Sequence, residues 1–141
     1  RRHYEQLLGA GRFTYFPRTD GAASYHTVDR GDVVVFTSST LGYEALGRGR
    51  RIAALMTDVE LTRSRGERFG WPLALPDDGP FWTHRLDARR VDEILDTVCG
   101  ASAESWREMS STIRDDLMRF DDDNTTLRAI LRDAGASSVD A

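Results

Sequence analysis

Two short apolar runs, Val33-Val34-Val35-Phe36 and Ile52-Ala53-Ala54-Leu55-Met56, constrain this chain more than anything else in it. Neither alternates polar with apolar residues. An unbroken apolar run of that length is the pattern of a parallel strand covered on both faces. Between them lie Thr37-Ser38-Ser39-Thr40 and a helical stretch through Leu46, which Gly47 and Gly49 close. Strand, turn, helix and strand thus fit within residues 32–56, the order of a βαβ unit whose crossover is expected to be right-handed. The fold class expected is α/β: a Rossmann-like parallel sheet of three to four strands with flanking helices and a C-terminal helical layer.

The rest of the chain is read around that unit. Tyr4, Leu7 and Leu8 recur at helical spacing before Gly9 and Gly11, which predicts a helix over Arg1–Leu8. Arg12–Phe16 is β-branched and aromatic and predicts a strand closed by Pro17. Ser24–Asp29 predicts one or two helical turns. Residues 57–87 read as a long loop carrying three of the four prolines. Its aromatics Phe69, Trp71, Phe81 and Trp82 are expected to anchor it, the alternative for Trp71 and Trp82 being to stack on a base or sugar ring. Pro80–His84 is a candidate short strand. Three helices follow, capped at Asp87, Ser102 and Asn124. Each is expected to bury one stripe: Val91, Ile94, Leu95 and Val98; then Trp106, Met109, Ile113, Leu117 and Phe120; then Leu127, Ile130, Leu131 and Ala134. The organisation expected is a core over 1–87 including the loop 57–87, helices of the same domain over 88–135, and a frayed tail over 136–141. Arg1-Arg2-His3 opens the chain without Met in what reads as mid-helix sequence, so a piece of a longer protein is expected.

Charge and composition remove several function classes. The chain holds 19 arginines and no lysine against 23 acidic residues, a net charge of -4. With a sequence pI near 5.3 it is not expected to bind nucleic acid, which favours a basic surface. No apolar run approaches the roughly 20 residues of a membrane span, and no secretory signal is visible. Cys99 is the only cysteine, which rules out an internal disulfide; it is expected to be a small buried residue, and the protein to be cytoplasmic. His3, His26 and His84 lack metal-ligand spacing. Asp121-Asp122-Asp123-Asn124 lacks the glycine and distant glutamate of a calcium loop and reads as acid ahead of a helix. No metal is expected.

The candidate site is the Ser38-Ser39-Thr40 turn. In parallel sheets ligands bind beyond the carboxyl ends of the strands, and Ser38 follows the first apolar run, expected to be the most buried strand. The helix start adds unpaired N–H groups and the positive end of a dipole, and the hydroxyls add donors, so a phosphate or another anion suits it. Gly42 in the first turn permits close approach. Glu44, one turn beyond Thr40, can accept hydrogen bonds from sugar or ribose hydroxyls. A second reading stays open, in which the serines only cap the helix and Glu44 complements its dipole. Arg18, Tyr25 and His84 are placed at the periphery of the site. Neither a Gly-Lys-Ser/Thr phosphate loop nor a GxGxxG fingerprint is present.

The stretch Asp32-Val33-Val34-Val35-Phe36-Thr37-Ser38-Ser39-Thr40-Leu41-Gly42-Tyr43-Glu44-Ala45-Leu46, with the Gly49-Arg50-Arg51 turn and apolar strand after it, resembles the C-terminal half of GT-B-type glycosyltransferases. Phe69-Gly70-Trp71-Pro72 and Gly79-Pro80-Phe81-Trp82 are similar to bacterial surface-carbohydrate (capsule or lipopolysaccharide) biosynthesis proteins. The resemblance implies half of a GT-B fold that binds a nucleotide-sugar donor as substrate, with no separate cofactor. Ser38, Ser39 and Thr40 would hold the donor phosphate and Glu44 the donor hydroxyls. The glycan acceptor would be brought by an N-terminal domain absent from this sequence, so the fragment alone is expected to be inactive. The missing opening strand would leave a sheet edge exposed, through which a homodimer is expected. The alternatives are a non-catalytic phosphate- or nucleotide-binding module, a protein-interaction module whose aromatic loop docks a partner, and a glycerophosphate or polyol-phosphate transferase domain.

Overall fold

The computed structural model describes residues 2–9, 11–17, 23–57, 68–121 and 123–137. The chain divides into two compact units, Arg1–Gly31 and Asp32–Ala141. The first holds helices α1 (Arg2–Leu8) and α2 (Ala23–Arg30). Residues Arg12–Phe16 form no strand. High β-propensity reflects packing against neighbouring strands rather than a backbone preference, and here Phe13 instead sets its ring edge-on to Tyr4 at 6.1 Å.

The second unit is α/β, as its sequence implies. Strands β1 (Val33–Phe36), β2 (Arg51–Leu55), β3 (Asp78–Gly79) and β4 (Trp82–Thr83) form one sheet in the order β1-β2-β4-β3. β1, β2 and β4 run parallel, with Phe36 opposite Ala54 and Leu55 opposite Thr83. β3 and β4 form a tight antiparallel hairpin about Pro80-Phe81. Gly79 is required there, because a Cβ would lie 2.1 Å from the Trp82 indole. Helix α3 (Thr40–Gly47) joins β1 to β2 and packs on both. Then come α4 (Ala88–Gly100), α5 (Ala103–Leu117) and α6 (Thr125–Ser137). α4 lies against β2 and β4, and α5 against α3. Asp87 and Ser102 cap α4 and α5 as their positions imply, each accepting backbone N–H bonds from the first turn.

Strand order corrects one expectation. The most buried strand is β2, where Ile52, Ala53 and Ala54 are wholly inaccessible, not β1. β1 is an edge strand and leaves Val35 51 % exposed. An apolar run specifies a strand but not its place in the sheet.

Around β2 the core is largely aromatic. Phe69 packs against Phe36, Phe81 and Trp82 at centroid distances of 5.6–6.3 Å, and Phe81 continues to Trp106 at 5.1 Å. The loop aromatics Phe69, Phe81 and Trp82 are therefore anchors, but Trp71 is 79 % exposed and is not one. The stripe of α6 also departs from expectation: Leu127, Ile130 and Leu131 are all exposed. Phe120 lies beyond the end of α5 and is exposed too. Cys99 is exposed rather than buried, because it is one position, about 100° of helix rotation, past the buried Val98.

Two side chains, Trp106 and Arg51, tie distant parts of this unit together. The Trp106 indole N–H donates to the Gly49 carbonyl at 3.2 Å. Arg51 at the start of β2 directs Nη1 at the carbonyls of Val98, Cys99 and Ala101 at 3.1–3.5 Å, covering the C-terminal end of α4 with a cation.

Candidate functional site

Because β1, β2 and β4 are parallel and in register, their carboxyl ends share one edge of the sheet. Ser38 follows β1 there, Thr57 follows β2 and His84 follows β4. Ser38, Ser39 and Thr40 are all exposed, and they lead directly into α3.

The three hydroxyls differ in what they do. Ser39 is the N-cap: its backbone is extended (φ -99°, ψ 130°), its Oγ accepts the Leu41 N–H at 3.3 Å, and its carbonyl accepts the Gly42 N–H at 3.0 Å. Among the described residues, the Ser38 and Thr40 hydroxyls have no hydrogen-bond partner. Of the three, Ser39 is the one that caps α3.

Gly42 faces Phe36. A Cβ on it would sit 2.3 Å from the Phe36 ring, so the missing side chain lets the end of β1 pack under α3. Glu44 lies one turn past Thr40 on the same helix face and is half-buried. Tyr43 performs a task the sequence did not reveal. Its ring stacks on Phe69 at 5.4 Å and 23°, and its hydroxyl accepts the Gly70 N–H at 3.3 Å. That contact holds the segment after residue 67 against the first turns of α3.

His84 is built into the same segment. It is 5 % exposed. Its Nε2 accepts the Phe69 backbone N–H at 2.9 Å, while Nδ1–H donates to the Asp77 carbonyl at 3.0 Å, which also takes the His84 backbone N–H. Burial, and then the Arg68 cation 3.4 Å from Nδ1, push its pKa below the ordinary histidine value. The ring is therefore neutral and occupied at both nitrogens. Asp77 is held below the usual carboxylate range by a hydrogen bond from Arg68 and by that residue's charge. Asp78 accepts from the buried Thr83 hydroxyl at 2.7 Å and pairs with Arg85 at 3.1 Å.

The remaining expected site residues fall elsewhere in the chain. Tyr25 is exposed on α2 in the first unit, and Arg18 lies outside the described residues. Asp121 caps α6, accepting from the Thr125 hydroxyl at 3.0 Å and the Thr126 N–H at 2.7 Å, which lowers its pKa to about 2. Among the described residues, no three His, Cys, Asp or Glu side chains are arranged to hold a metal ion, and no helix is long and apolar enough to cross a membrane.

Residues 1–134 match the model of a family described as "putative O-antigen biosynthesis protein". The chain belongs to this family. Membership ties it to surface-carbohydrate biosynthesis, the coarser part of what its motifs imply. No curated protein and no solved structure matches the chain.

Proposed function

We propose that this chain is the nucleotide-sugar donor-binding domain of a glycosyltransferase that assembles bacterial surface polysaccharide. One observation carries the reading: two exposed hydroxyls without partners, Ser38 and Thr40, flank the N-cap of α3 at the carboxyl edge of a parallel sheet. A donor phosphate placed there meets hydroxyl donors and the positive end of the helix, which favour negative charge. As the glycosyl bond breaks, charge grows on the departing nucleotide phosphate, and donors already fixed in place stabilise it without reorganising. Glu44 accepts hydrogen bonds from the donor's hydroxyls. The acceptor glycan is the second substrate, and the donor needs no additional cofactor.

The test is calorimetric titration of the full chain with CMP, CDP, UDP and GDP, alongside Ser38→Ala. Selective binding of one nucleotide, weakened about tenfold or more in the variant, supports the reading, since a hydrogen bond to a charged group is worth about 1.5–3 kcal/mol. A well-folded chain that binds none of them overturns it. A second reading rests on the capping role of Ser39 and on Trp71, 79 % exposed beside the buried Phe69 and Gly70. In it the loop docks a partner protein and the serines serve α3 alone.

A further inference from the structure

Every backbone N–H from Phe69 to Leu73 is engaged. Phe69 donates to Nε2 of His84 at 2.9 Å and Gly70 to the Tyr43 hydroxyl at 3.3 Å. Trp71 donates to the Arg68 carbonyl at 3.4 Å and Leu73 to the Gly70 carbonyl at 2.6 Å, while Pro72 has no N–H to give. Gly70 takes φ +96°, and a Cβ there would lie 2.3 Å from the Leu75 side chain, so the turn is tight. The backbone under Trp71 is thus tied to α3 through Tyr43 and to the end of β4 through His84.

What this frame presents is an indole. Trp71 is 79 % exposed, whereas Trp82 and Trp106 are buried. Among the described residues its ring has neither an aromatic neighbour nor a hydrogen bond. Charged groups stand close in the same segment. Arg68, whose carbonyl closes the turn, pairs with Asp77, and Arg85 lies 3.9 Å from Asp77 and 3.1 Å from Asp78. The side chains of Arg68 and Asp77 are both half-exposed. A fixed backbone lowers the ordering cost of binding on such a surface.

We propose that Trp71 is the stacking platform of a saccharide site, on which the apolar face of a pyranose ring rests while Arg68 and Asp77 hydrogen-bond its hydroxyls. A pyranose carries C–H bonds on its faces and hydroxyls on its rim, so it suits an aromatic surface with charged donors and acceptors beside it. The core of a protein interface is instead depleted of charge. Surface-carbohydrate biosynthesis, to which the family is tied, supplies such rings in the glycan and in the donor. The site stands whether or not the Ser38 turn holds a nucleotide.

Acrylamide quenching of fluorescence reads this residue directly, because it is the one exposed tryptophan of three. The full chain is titrated with O-polysaccharides released by mild acid from bacterial lipopolysaccharides, with UDP-glucose and GDP-mannose, and with UDP and GDP. Protection by a polysaccharide supports the site with the ring supplied by the glycan. Protection by a nucleotide sugar, and not by its nucleotide, supports it with the ring supplied by the donor. Calorimetric affinity for the protecting saccharide is expected to fall about tenfold in Trp71→Ala and to be largely kept in Trp71→Tyr. Trp71→Ala is expected to melt like the parent, since the side chain is exposed. Tyr15→Ala, which removes an exposed aromatic from the first unit, is expected to bind as the parent does. Four outcomes overturn the proposal: no protection by any saccharide, which leaves the loop to a partner protein; equal protection by UDP or GDP, which makes the ring a base; a loss in Trp71→Tyr equal to that in Trp71→Ala; or an equal loss in Tyr15→Ala.

Discussion

Nε2 of His84 accepts the backbone N–H of Phe69 at 2.9 Å, which ties the carboxyl end of β4 to the loop lying over α3. The bond exists only while Nε2 is unprotonated, and burial keeps it so.

Stability is therefore expected to depend on pH through this residue. The folded pKa lies below the unfolded value of about 6.5, so the unfolded chain takes up the proton first. Stability contributed by neutral His84 is complete above that value and is lost progressively as pH falls below it. Thermal melts from pH 7.5 to 5 should show this loss, and His84→Gln, which cannot titrate, should reduce the slope. An unchanged slope would show that the ring does not couple to folding.

Gly42→Ala tests the Phe36 contact. Alanine is the better helix former by about 1 kcal/mol, yet its Cβ would enter the Phe36 ring. Overpacking is expected to win, for a net loss of about 1–3 kcal/mol in denaturant unfolding. A stabilised variant would mean that β1 and α3 readily move apart.

Ser39→Ala and Ser38→Ala should separate structure from binding. The first removes the N-cap and is expected to cost about 1 kcal/mol. The second removes a hydroxyl without a partner among the described residues, and the midpoint of unfolding should not move. Equal destabilisation by both would make the turn a capping device throughout.

Asp121→Ala should loosen α6. Its carboxylate accepts the Thr126 N–H, and its pKa near 2 lies below the unfolded value of about 3.9. The stabilisation is present above the unfolded value and disappears as pH falls toward 2. Hydrogen exchange over residues 125–134 should quicken in the variant at neutral pH, and in the parent chain helicity should fall only below pH 4.

Much of the second unit is legible in the sequence because local signals and the fold agree there. Val33–Phe36, the hydroxyl turn and Ile52–Leu55 specify β1, α3 and β2, and Asp87 and Ser102 mark two helix starts. What escapes is set by distant partners. The exposure of Val35 follows from β1 lying at the edge, and the lack of a strand at Arg12–Phe16 reflects the absence of a pairing neighbour among the described residues. The stripe of α6 has helical periodicity, but periodicity does not supply the surface that covers it. At the site, Ser38 and Ser39 are indistinguishable as residue types, and only the backbone decides which hydroxyl turns inward to Leu41. Tyr43 and Phe69 lie too far apart for any spacing rule to pair them.

The bonds from Arg51 to Val98 and from Trp106 to Gly49 also impose an order on synthesis. The β1–α3–β2 segment leaves the ribosome before either distant partner exists, with the apolar face of its central strand uncovered. Domains fold as units, so this segment waits for the indole of Trp106 and the end of α4. A chain stopped before residue 88 carries every residue of the serine turn and neither the end of α4 nor the Trp106 indole that close this unit behind it.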